Sequence, residues 1–140
     1  MNSLTADQKR LVRTSFESLE EYSDSVVQLF YGRLFEIAPQ VRPLFRVDIT
    51  NQSRKLLDML KTIVSAIDNF EALRPRLEDL GYKHVAYGAK PEHYNALRIA
   101  LLWAMATALD LEFDKETKAA WGQLLEMVSS AMIAGANRTA

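Results

Sequence analysis

Cysteine is absent from the 140-residue chain, which excludes disulfides, thiolate metal sites and a cysteine nucleophile and fits a reducing compartment. Histidine is scarce: two residues, His84 and His93, are too few for the clustered His and carboxylate ligands of a metal hydrolase. An iron or copper would therefore arrive inside a cofactor. No sign of charge prevails. Seventeen Lys and Arg face 18 Asp and Glu, a formal net charge of −1, so the chain lacks the basic field that draws nucleic acid or an anionic membrane. Long apolar runs are missing too. The longest uncharged one, Ile99 to Leu109, is too short for a bilayer that needs roughly 20 residues. Met1-Asn2-Ser3-Leu4-Thr5 lacks the apolar core of a signal peptide. The expectation is a soluble cytoplasmic protein with no nucleic-acid or membrane partner. Glycine and proline are few, five and four, and strand-like alternation between turn signals is lacking, which predicts an all-α protein.

What is present fits that reading. Residues are 49% hydrophobic and 25% charged, an ordinary globular balance, and the length suits one domain over residues 1–140 with one core. Thr5-Ala6-Asp7-Gln8 has the form of a capping box, opening a helix to about Glu20. Ser23 or Asp24 can cap a second helix, whose Val26, Val27, Phe30, Tyr31, Leu34 and Phe35 repeat at helical spacing. Pro39 and Pro43 interrupt regular helix through Asp48. A third helix starts near Thr50 or Asn51, with Gln52 one turn before Leu56 and a stripe of Leu60, Ile63, Val64 and Ile67. The Glu71–Gly88 segment is weaker, being punctuated by Pro75 and Gly81. If helix runs on past Gly81, then Leu77, Leu80 and His84 share an apolar face. Pro91 suits the first turn of the next helix, which continues towards Leu109. Asp114 can cap a last helix carrying Trp121, Leu124, Leu125, Val128 and Met132. Six or seven helices result.

Several side chains carry potential chemistry, each with an ordinary alternative. A lone histidine on an apolar stripe, such as His84, is usually a core residue bonded to a carbonyl. An imidazole nitrogen also binds haem iron, leaving the opposite face open for a diatomic gas. His93, at a helix start beside Pro91, reads as exposed. Tyr31 on the buried face of the second helix is otherwise a core tyrosine with a backbone partner. Gln52 by default faces water, and Phe45 by default anchors a loop.

Their order narrows the choice. Phe30-Tyr31-x-x-Leu34-Phe35, Pro39, Leu44-Phe45, Gln52-Ser53-Arg54-Lys55-Leu56 and Leu80-Gly81-x-x-His84 resemble the globin family. The resemblance continues through Tyr87-Gly88, Pro91-Glu92-His93-Tyr94 and Ala120-Trp121, so it covers essentially the whole chain. The Phe-Tyr pair, the Gly-x-x-His step and the Pro-Glu-x-Tyr run look like the haem domain of flavohaemoglobins and related single-domain bacterial globins. The Gln52–Leu56 stretch and Ile67-Asp68-Asn69 are especially similar to acid-tolerant bacterial globins of the Hell's Gate type.

That resemblance implies a globin fold sandwiching one haem b (iron protoporphyrin IX). It implies His84 as the proximal iron ligand, Tyr31 and Gln52 as distal hydrogen-bond donors, and Leu56 as a wall of the distal pocket. Phe45 would stack on the porphyrin, Lys55 and Lys83 would sit near its propionates, and Phe35, Tyr94 and Leu97 would complete the apolar lining. The implied function is reversible, high-affinity binding of oxygen, with carbon monoxide and nitric oxide as further ligands and no catalytic residue assigned. The alternatives are nitric oxide dioxygenation with a separate reductase, a gas sensor with a partner protein, and a haem-free interaction module. No flavin or nicotinamide site fits in the 140 residues, so the reductase domain of flavohaemoglobins is not expected here. The sequence gives no oligomeric state. The family's activated sites pair the proximal histidine with a tyrosine and a last-helix glutamate. Tyr94 is present, but the glutamate position falls at Ala136, which favours ligand binding over oxygen activation.

Overall fold

Local sequence sets where each helix begins. The computed structural model describes residues 3–44, 49–86 and 88–138, and of residues 49–52 the backbone alone. Among the described residues six helices run in chain order: α1 (Ala6–Glu21), α2 (Ser23–Ile37), α3 (Ile49–Ser65), α4 (Phe70–Ala86), α5 (Pro91–Leu109) and α6 (Lys115–Ala136). Three 3₁₀ segments, Pro39–Leu44, Ile67–Asn69 and Asp110–Glu112, join them, and no strand occurs among the described residues. Thr5 and Gln8 form the anticipated capping box, each side chain accepting the other's backbone N–H, at 3.1 and 2.9 Å. Asp114 accepts the Thr117 N–H at 2.8 Å to start α6, and Pro91 opens α5.

Two local expectations are corrected. Neither Ser23 nor Asp24 caps α2; Ser23 is already helical, and Tyr22 is the whole connection to α1. A one-residue joint leaves no extended residue from which a side chain can reach back to free N–H groups. Secondly, α4 is continuous through Pro75. A proline inside a helix costs about 3 kcal/mol. Phe70, Leu73 and Leu77 bury the same turns almost completely, and each stabilises by about 1.5–3 kcal/mol, so burial outweighs the lost hydrogen bond.

The helices pack as α2 on α5, α4 on α6 and α1 on α6. Trp121, fully buried on α6, donates its indole N–H to Ser15 Oγ of α1 at 2.7 Å. The Ser15 hydroxyl in turn donates to the Leu11 carbonyl at 2.6 Å. The α2 stripe of Val26, Val27, Phe30, Tyr31 and Leu34 is buried, as its spacing predicts. α4 and α6 approach so closely that a methyl on Gly81 would meet the Met132 carbonyl oxygen at 1.9 Å. No helix among the described residues is long and apolar enough to cross a membrane.

Candidate functional site

His84 lies in the last turn of α4, half-buried. Its Nδ1 is 2.8 Å from the carbonyl oxygen of Leu80, one turn earlier. A carbonyl only accepts, so Nδ1 is the donor in this hydrogen bond. A ring nitrogen fixed by a backbone carbonyl is the support that metal-binding histidines commonly use. The sequence presents Leu80 only as an apolar neighbour; the i−4 spacing is the signal that its carbonyl orients the ring. The helix is closed by hydrogen bonds from Gly88 N–H to Val85 O, 3.0 Å, and from Ala89 N–H to His84 O, 3.1 Å. Gly88 adopts φ +93°, and a Cβ there would touch Leu44 at 3.0 Å. Glycine thus lets the turn after His84 rest on the end of the 3₁₀ segment that leads to Phe45.

Tyr31 points into the core, 6% exposed, its ring 4.9 Å from Phe30 and 5.9 Å from Phe35 between centroids. Burial pushes its phenol up to about 12, so the group is a neutral hydroxyl donor near pH 7. Phe35 is half-buried, with the Arg42 guanidinium 4.7 Å above its ring, a cationic lid that sequence reasoning did not single out. Leu56 and Leu97 pack against the same apolar core that holds Tyr31 and Tyr94. Burial also pushes the Tyr94 phenol up, and its hydroxyl has no hydrogen-bond partner among the described residues.

Lys55 on α3 and Lys83 on α4 are both exposed. His93 is half-buried rather than exposed, and its Nδ1 accepts the Lys90 N–H at 3.0 Å across the start of α5. Phe45 and Tyr87 lie outside the described residues, and so does the side chain of Gln52, whose backbone is in the first turn of α3. A cleft of about 200 Å³ separates α3 from α4, with Met59, Leu73, Leu77 and Leu80 as its apolar walls and Lys83 among its polar ones. Among the described residues no group of three or more His, Cys, Asp or Glu stands ready to hold a metal ion. The donor set instead fits an iron porphyrin: one oriented imidazole, apolar walls, a neutral phenol in the core and lysines in solvent.

Comparison with known proteins agrees. The family model described as Globin matches residues 28–132. A flavohemoprotein of Halalkalibacterium halodurans is 27% identical over 134 residues, which cover 94% of this chain and 33% of that protein. The chain thus spans about a third of the flavohemoprotein's length. Neuroglobin of Tetraodon nigroviridis is 25% identical over 149 residues, covering 96% of this chain and 94% of that one. Among solved structures, a hexacoordinated haem protein from an anhydrobiotic tardigrade superposes with a TM-score of 0.87 over 98% of this chain and 97% of its own. At 17% identity it speaks for the fold alone. An engineered carbene transferase, made from a candidate nitric oxide dioxygenase of Rhodothermus marinus, superposes with a TM-score of 0.80 at 25% identity, covering 91% of this chain and 89% of that one. With the helical architecture, the oriented histidine and a family match over most of its length, the chain belongs to the globin family.

Proposed function

We propose that this globin holds one haem b through His84 and binds oxygen reversibly and tightly, with Tyr31 and Gln52 as hydrogen-bond donors to the gas. The observation that carries the reading is the His84 imidazole, tied through Nδ1–H to Leu80 O in the last turn of α4. Bound there, haem would supply an iron able to take a diatomic gas. The protein does the rest. Phe35, Leu56, Tyr94 and Leu97, with Phe45 assigned beside them by the family resemblance, would supply the apolar lining that keeps water out, and the exposed Lys55 and Lys83 would serve the propionates.

Tyr31 contributes a hydroxyl kept protonated by burial, and Gln52 a side-chain amide. Hydrogen bonds to an acceptor that gains negative charge are worth roughly 1.5–3 kcal/mol each. A pair therefore slows release by on the order of a hundredfold or more. Carbon monoxide takes on less charge and gains less. Tyr31→Phe is expected to speed oxygen dissociation by roughly tenfold or more, with carbon monoxide dissociation changed far less. Equal effects on the two gases in stopped-flow measurements would contradict the assignment of Tyr31. The ferrous protein is expected to be five-coordinate without gas, because position 52 carries glutamine rather than a second histidine that could close the sixth site.

A second reading draws on the likeness to the candidate nitric oxide dioxygenase of Rhodothermus marinus and to flavohemoproteins. It is nitric oxide dioxygenation, with electrons from a separate reductase. Tight oxygen binding serves both readings. Sustained nitric oxide consumption with a reductase and nicotinamide present supports the enzyme, and a single turnover per haem supports the carrier.

A further inference from the structure

We infer that Gly81 and Gly135, the paired glycines of the α4–α6 crossing, are positioning residues that set where His84 presents its imidazole. This inference rests on the reading of His84 as the haem ligand. A Cβ on Gly81 would lie 1.9 Å from the Met132 carbonyl oxygen and 2.7 Å from its Cα, and one on Gly135 would lie 1.8 Å from the Glu78 oxygen and 2.5 Å from its Cα. The contacts are reciprocal. Gly81 follows Glu78 by three residues and Gly135 follows Met132 by three, so each helix offers one glycine and receives the other in an antiparallel crossing. The obstructing atoms are backbone, so no rotamer change relieves them. Restoring ordinary van der Waals separation would part the helices by on the order of 1 Å.

This closeness is peculiar to one crossing. A Cβ on Gly32 in α2 would meet nothing within 4 Å, and one on Gly122, elsewhere on α6, would meet only a Leu102 methyl at 3.9 Å. The crossing also adjoins the histidine. Leu80, whose carbonyl holds Nδ1 of His84 at 2.8 Å, is the neighbour of Gly81. Just past α6, Arg138 reaches Asp79 at 3.0 Å and lies 4.8 Å over the Tyr82 ring, gripping α4 on both sides of Leu80 and Gly81. An imidazole tied to this segment inherits its height, as ligands held by a rigid supporting shell do.

The test uses haem-loaded Gly81→Ala and Gly135→Ala, with Gly122→Ala as the control that adds the same methyl to α6 where it meets only a Leu102 methyl at ordinary contact distance. The readout is the iron–histidine stretching band of the ferrous protein without gas, by resonance Raman spectroscopy. Both crossing variants should shift the band in the same direction, and the control should not. In a His84→Gly background loaded with haem and free imidazole, the ligand is no longer attached to α4, and the crossing variants should cease to shift the band. Folded crossing variants that keep the wild-type band overturn the inference, as does a shift that persists with free imidazole. If neither crossing variant folds, Arg138→Ala decides. It should broaden the band and quicken amide exchange over residues 78–84, and no change in either overturns the inference. A wild-type protein with no iron–histidine band refutes the haem reading instead, so the two failures are distinguishable.

Discussion

A single phenol carries much of the chemistry assigned to the distal side. Tyr31 is enclosed by Phe30, Phe35 and the apolar core, and desolvation raises its ionisation to about 12. The sign follows from which form burial penalises. The anion is disfavoured in the folded chain, so the unfolded chain, ionising near 10, releases its proton first. The stability due to this neutral phenol is intact below about pH 10 and is lost as pH climbs through the folded value. Ultraviolet titration of the chain before haem is added should show a phenol ionising near pH 12 that Tyr31→Phe removes. An identical alkaline titration in the variant would contradict the burial. Tyr94 is the second buried phenol, its hydroxyl without a partner among the described residues. The acceptor that holds His84 Nδ1 is the Leu80 carbonyl of its own helix.

At the scale of elements, seams between helices decide what the site residues can do. The α1–α6 seam depends on one buried hydrogen bond, Trp121 Nε1–H to Ser15 Oγ. Ser15→Ala leaves that indole N–H unsatisfied and should cost about 1–3 kcal/mol, lowering the melting temperature by several degrees; an unchanged melting temperature would mean the indole finds another acceptor. Much of this level was legible in the sequence. Thr5, Pro91 and Asp114 announce helix starts by chemistry confined to four residues, and the α2 stripe announces its buried face by spacing. Ser23 and Asp24 misled because capping depends on joint length, which their residue types do not encode. Pro75 looked like a break because the burial of Phe70, Leu73 and Leu77 that overrides it is a tertiary fact. Gly81 read as punctuation for the same reason: its use is against Met132, 51 positions away. His84 and Tyr31 were legible as members of apolar stripes. The Leu80 acceptor was implicit in i−4 spacing, whereas Arg42 over Phe35 depends on how the 3₁₀ segment folds back.

For the whole molecule, family membership and function stand at different depths. The globin match covers residues 28–132, and the superposition on a haem protein covers 98% of the chain. The chain spans 94% of the length of a neuroglobin but 33% of that of a flavohemoprotein. The part shared with both is the helical haem-binding unit, and oxygen carriage needs nothing beyond it, whereas nitric oxide turnover needs electrons delivered from elsewhere. Both uses require that His84 hold the iron. The measurement that bears on this most directly is a haem titration of the wild type beside His84→Ala, read by the ferrous and ferrous-carbonyl spectra. One haem per wild-type chain with a five-coordinate imidazole spectrum, lost in the variant, is the predicted result. A wild type that stays colourless, or a variant that takes up haem with the same affinity and spectrum, would contradict it.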